Sequence, residues 1–261
     1  MFSHSKTLMT PVEVTSPDPV FAQYMLEQFG GATGELKAAL QYWVQSFHVE
    51  DAGIRDMLQD IAVEEFSHLE VVGAIIQQHS SGAVEEKAWR STLFAVRGMG
   101  PHLLDSCGNA WTAAYVDEGG NVVRDLRANI GAEAGARQTY EALMKMAPDE
   151  GTLRALHFLY TREITHTQMF MTALDRLGKL DVPLFGTVPP DETVDIYFNM
   201  SKLGGKDAEE PGPALVGAGM RITGDPESLI TLGEPPPFTN PDDEKPQGAA
   251  AASPGRRAKS R

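Results

Sequence analysis

A single cysteine, Cys107, stands among 261 residues, so no intrachain disulfide can form and no cysteine cluster can hold zinc or iron–sulfur. Its surroundings, LLDSCGNAW, hold no adjacent base or nucleophile elbow, so a buried or inert thiol is expected. Long apolar runs are missing too. No stretch approaches the ~18 unbroken apolar residues of a membrane span. The opening MFSHSKTLMTPVEV lacks both a basic start and an apolar block of signal-peptide length, so a cytoplasmic protein is expected. Positive charge is scarce: 22 Lys and Arg stand against 36 Asp and Glu, a formal net charge of -14. That balance argues against nucleic acid or an anionic membrane as main partner.

What is present is helical periodicity. After the breaker Gly30-Gly31, Leu36, Leu40, Trp43 and Phe47 fall at three- and four-residue steps, predicting a helix over 34–47. A shorter helix over 19–28, capped by Asp18 or Ser16, precedes it. The second long segment, 51–79, carries Ile54, Leu58, Ile61, Glu65, His68, Val72 and Ile75 on one stripe. The third, 123–145, carries Leu126, Ile130, Glu133, Arg137, Tyr140 and Met144. The fourth, 149–177, carries Leu156, Leu159, Glu163, His166, Phe170 and Ala173. Some 40 residues, rich in glycine, separate the second and third segments, which suits a bundle with a crossover. Within that connection Asp117–Asn121 signals a turn, read as the tip of a small β-hairpin. Proline and glycine accumulate after Gly178. The expected organisation is a bundle over 1–178, an extended tail over 179–240 lying on neighbouring subunits, and disorder over 241–261.

Two of the seven histidines follow a glutamate by three residues: Glu65-x-x-His68 and Glu163-x-x-His166. On a helix, such a pair presents a carboxylate and an imidazole to one point. The spacing strengthens the signal. Glu35, Glu65 and His68 recur as Glu133, Glu163 and His166, always 98 positions on. Each half therefore offers a helix with one inward glutamate and then a helix with Glu-x-x-His, the arrangement of ferritin-like di-iron and di-manganese bundles. Ionised carboxylates facing an apolar core would each cost several kcal/mol, and two divalent cations remove that penalty. Glu64 and Glu70 fall off the stripe and are read as solvated. Oxygen-rich ligands with imidazole suit manganese or iron, and spacing does not choose between them.

The segments GGATGELKAALQYWVQSFHVEDAGIRDML and DIAVEEFSHLEVVG, then RANIGAEAGARQTYEALM and TREITHTQMF, resemble the bacterial manganese catalases, as do GNAWTAAYV and YFNMS. The resemblance covers roughly residues 1–205. It implies an all-α, ferritin-like four-helix bundle that disproportionates hydrogen peroxide to water and dioxygen on two manganese ions per subunit. It implies that Glu35 and His68 bind one manganese, Glu133 and His166 the other, and that Glu65 bridges them. Glu163 would stay off the metals and carry protons, and Tyr42 would hydrogen-bond beside the cluster. Some relatives add calcium at a subunit contact, for which Asp56, Asp60, Asn199 and Ser201 are the candidates here. A homohexamer is implied as well. Some relatives carry arginine before the ligand matching Glu133, where this chain has Ala132, and Arg137 on the inward stripe is the expected substitute. Two alternatives stand beside the catalase reading. One is a di-iron oxidase or ferroxidase, in which Glu163 would also coordinate. The other is a coat or storage protein with a vestigial site.

Overall fold

The computed structural model describes residues 3–81, 85–198 and 221–223. The first helix, α1 (Pro19–Gly30), starts where Asp18 accepts hydrogen bonds from the amides of Val20 and Phe21, with Pro19 at a first-turn position that needs no donor. Helix α2 spans Glu35–Ser46. Helix α3 spans Ala52–Ser80, capped by Asp51 on the amides of Gly53 and Ile54. Helices α4 (Glu86–Arg90) and α5 (Phe94–Arg97) are short pieces of the crossover. Helix α6 spans Val122–Met144 from an Asn121 cap, and α7 spans Glu150–Arg176 from an Asp149 cap. Every long helix expected from periodicity is present, with ends displaced by no more than a residue or two.

Helix α2 packs on α3, and α6 on α7, and these two hairpins meet through α3 against α7 and α2 against α6. The interior is built in layers. At one end Met25, Leu26, Val72, Ile75, Leu156 and Leu159 form an apolar cluster. At the other, Ile54, Leu58, Ile61, Leu126, Phe170 and Leu174 form a second. Glu65, His68, Glu163 and His166 interrupt both stripes between these clusters, all at 1 % exposure or less. Two apolar layers therefore seal a polar one, so charge there has little solvent to screen it.

The crossover is tied to α1 rather than free. Gln23 donates to the Ser106 carbonyl and accepts from the Leu93 amide, while Glu27 accepts from the Ser106 amide and hydroxyl. Gly30 allows the contact: a Cβ there would lie 2.5 Å from the Leu104 carbonyl oxygen. Two expectations fail in this segment. No hairpin forms at Asp117–Asn121; Asp117 and Asn121 are held instead by Arg124 and by the start of α6, and the isolated bridge of the crossover joins Leu104 to Ala110. Of the buried-or-inert reading of Cys107 only the burial fails: the thiol is exposed, because it lies in a tight loop built around Asp105 and not on a helix stripe.

The chain divides into two units, 1–185 and 186–261. The second contains a short parallel pair, β1 (Ile196–Phe198) and β2 (Arg221–Thr223), in the register Ile196 to Arg221. Its residues are too few to have left a period in the sequence. Among the described residues, no helix is long and apolar enough to cross a membrane.

Candidate metal centre

Two overlapping groups of buried side chains occupy the polar layer. One is Glu35, Glu65, His68 and Glu163; the other is Glu65, Glu133, Glu163 and His166. In each, the candidate ligand atoms lie within 4.8 Å of one another, and Glu65 and Glu163 belong to both. Glu65 sits between the imidazoles, with Oε2 3.0 Å from His68 Nδ1 and Oε1 2.8 Å from His166 Nδ1. Glu35 Oε2 is 3.6 Å from His68 Nδ1, Glu163 Oε1 is 3.7 Å from it, and Glu133 Oε2 is 3.8 Å from His166 Nδ1. Six of the sequence-predicted residues are thus brought together.

The seventh, Tyr42, donates from its hydroxyl to Glu133 Oε1 at 2.5 Å. Sequence reasoning missed its counterpart. Tyr140, read as an apolar stripe residue, donates its hydroxyl to Glu35 Oε1. The signal was available, because Tyr140 stands 98 positions after Tyr42. The two hydroxyls cross between the halves, each holding one carboxylate oxygen and leaving the other free to face the centre.

Several polar atoms of the centre have no hydrogen-bond partner: Glu65 Oε1, Glu133 Oε2, Glu163 Oε1 and His166 Nδ1 are all buried and unsatisfied. The 2.8 Å approach of Glu65 to His166 is close, but its angles are not those of a hydrogen bond. Buried polar atoms are seldom left so. Four carboxylates and two imidazoles aiming lone pairs at common points suit two divalent cations, whose charge would balance the four carboxylates. The donor set therefore fits a two-metal site.

The acidities of these groups are displaced in opposite directions by their surroundings. Burial, then repulsion from Glu65, raises Glu35 to about 8. Burial, then Glu133, Glu65 and Glu35, pushes Glu163 well above the carboxylate range. Burial would raise Glu65 as well, but the charges and hydrogen bonds of His68 and His166 reverse this and hold it low. Burial opposes a charge on His166, yet Glu133, Glu64 and Glu65 outweigh it and raise the imidazole to about 11.

Two further expectations change. Glu64 is not a solvated bystander: it is 20 % exposed, pairs with Arg162 at 2.6 Å, and lies 3.5 and 3.3 Å from His68 Nε2 and His166 Nε2. Glu70 does remain at the surface, beside His4. Arg137 does not face the centre; it is 41 % exposed and pairs with Glu141. Among the described residues the buried cation is Lys37, on α2, whose pKa burial lowers against the opposing charges of Asp117 and Glu133. Asp56 and Asp60 are exposed on α3, while Asn199 and Ser201 lie outside the described residues.

The family described as manganese containing catalase matches residues 1–226. The chain belongs to the manganese catalases. A probable manganese catalase of Clostridium acetobutylicum is 36% identical over 219 residues, covering 82% of this chain and 96% of that one. Protein CotJC of Bacillus subtilis is 34% identical over 186 residues, covering 68% and 95%. Among solved structures, KatB, a manganese catalase from Anabaena, superposes with a TM-score of 0.77 at 65% identity, covering 82% of this chain and 94% of that one. The manganese catalase match thus spans the whole bundle and both halves of the centre.

Proposed function

We propose that this chain disproportionates hydrogen peroxide to water and dioxygen at a carboxylate-bridged pair of manganese ions held in the bundle core. The observation that carries the reading is the pair of buried ligand groups sharing Glu65 and Glu163 in a chain of manganese catalase descent. Glu35 and His68 would hold one ion, Glu133 and His166 the other, with Glu65 between them. Bound manganese would supply two-electron redox chemistry, so one peroxide is reduced to water and a second is oxidised to dioxygen.

The protein's own part is positional and protic. Tyr42 and Tyr140 restrain Glu133 and Glu35, fixing which oxygen faces the centre. Glu163 takes protons from peroxide and returns them to departing water. Burial and the neighbouring carboxylates raise Glu163 above the ordinary carboxylate range, which makes its carboxylate a stronger base for that exchange. The apolar layers on either side keep bulk water out. A second reading of Glu163 is supported by its place in both groups: it would coordinate as a fourth carboxylate, the pattern of di-iron oxidases.

The quaternary part of the proposal is a homohexamer in which residues after Gly178 lie on neighbouring subunits. Its support is the family and the large apolar side chains left outside, such as Phe47 (69% exposed) and Val96 (88% exposed). Calcium on Asp56 and Asp60, with Asn199 and Ser201, belongs to the same assembly.

The deciding experiment measures metal content and oxygen release on one sample, grown with manganese and iron both supplied. Two manganese per chain with oxygen evolution supports the reading. Two irons without oxygen evolution moves the function to di-iron oxidation.

A further inference from the structure

The two imidazoles of the centre are stacked, with centroids 5.5 Å apart and planes 21° from parallel. Both rings therefore point the same way. Their Nδ1 ends face Glu65, at 3.0 and 2.8 Å, and their Nε2 ends face Glu64, at 3.5 and 3.3 Å. Consecutive residues of α3 thus stand at opposite ends of the same two rings. Neither Nε2 makes a hydrogen bond within the described residues, to Glu64 or to any other group; Glu64 is the carboxylate within ion-pair distance of both, and both rings are fully buried.

We propose that Glu64, clamped by Arg162, is the positioning residue that turns both histidines so that Nδ1 meets manganese and Nε2–H meets carboxylate. The inference rests on the manganese reading of the centre. A neutral imidazole that gives one nitrogen to a metal must carry its proton on the other, and that N–H needs an acceptor. An ionised carboxylate offers two oxygens and about four acceptor sites, enough for two N–H groups and an arginine at once. The Arg162 guanidinium lies along the carboxylate edge, Nε 2.6 Å from Oε1 and the terminal nitrogen 3.4 Å from Oε2. It balances the charge of a fifth carboxylate that would otherwise add to the four inside. It also keeps both oxygens directed at the rings. A surface ion pair would have no reason to align one oxygen with each of two buried nitrogens.

The test compares E64Q, E64A and R162K. Manganese(II) affinity is measured by chelator competition, and ring N–H signals by nitrogen-15 NMR on protein loaded with diamagnetic zinc(II). An amide has one oxygen, so it can accept from one ring only. E64Q is therefore expected to bind one manganese normally and the other about 10- to 100-fold more weakly, with one Nε2–H signal lost. E64A should weaken both. R162K keeps the charge but not the fork, and should shift both affinities the same way by less. Wild-type binding of both ions in E64Q and E64A, with both Nε2–H signals intact, would overturn the proposal. Should E64Q not fold, unchanged affinity in R162K overturns it equally. Failure of the wild-type protein to take up manganese at all would instead sink the metal reading beneath it.

Discussion

Helices α2 and α3 on one side and α6 and α7 on the other bring matched residues to the centre: Glu35 with Glu133, Tyr42 with Tyr140, Glu65 with Glu163, His68 with His166. Their surroundings do not match. Glu65 lies between both imidazoles and is pulled below the ordinary carboxylate range, whereas its counterpart Glu163 looks mainly at other carboxylates and is pushed well above it. Lys37 has Gly135 opposite, and Glu64 has Arg162. The repeat thus places two identical carboxyls at equivalent positions and shifts their acidity in opposite directions. In the proposed function that separation would let one bind metal and the other move protons.

The largest effect should come from testing that separation. E65Q is expected to lose manganese, by metal analysis, and to drop to the activity of metal-free protein. E163Q is expected to retain both ions and lose about 10²–10⁴-fold in kcat. Loss of metal from E163Q would erase the difference between the two glutamates and make Glu163 a ligand. Next in size are Y42F and Y140F, where the halves should behave alike. Each is expected to raise the manganese dissociation constant about 10-fold, and an effect confined to one tyrosine would break the equivalence.

A smaller effect is that of pH on metal uptake. Glu35, raised to about 8, and His166, raised to about 11, carry protons at neutral pH and must lose them to coordinate. Manganese affinity should therefore rise with pH, steeply up to about pH 8 and less steeply from there toward about pH 11, with protons released. Calorimetric titration in buffers of differing ionisation enthalpy measures this, and heats independent of buffer would refute it. The smallest effect belongs to R137A. Lying outside the centre, Arg137 should leave turnover and azide inhibition within about twofold of wild type.

The long helices and the inward ligands were legible because apolar stripes at helical spacing name the buried face, and charged residues on that face are conspicuous. Arg137 was misread for a physical reason. From Glu133 the buried line runs through Ala136, Tyr140 and Leu143, and Arg137 falls one residue beyond it. Tyr140 passed for core because tyrosine is half apolar, and only its distance from Tyr42 set it apart. Glu64 was invisible to the stripe, since it touches the far ends of rings whose orientation no one-dimensional pattern carries. What did mark it was position: four residues before His68, and 98 before an arginine. The small strand pair and the exposure of Cys107 depend on irregular backbone, which leaves no period to read.

The Glu64–Arg162 contact also bears on how a two-part bundle of this kind can arise. If two identical hairpins associated as separate copies, the same residue would stand at both positions. Two glutamates would repel, as would two arginines, and no opposite-charge contact could form there. Once the hairpins share one chain, each position can diverge alone, and an acid can meet a base across the axis. A single carboxylate serving both histidines is thus an arrangement open to a fused duplicate and closed to a symmetric pair.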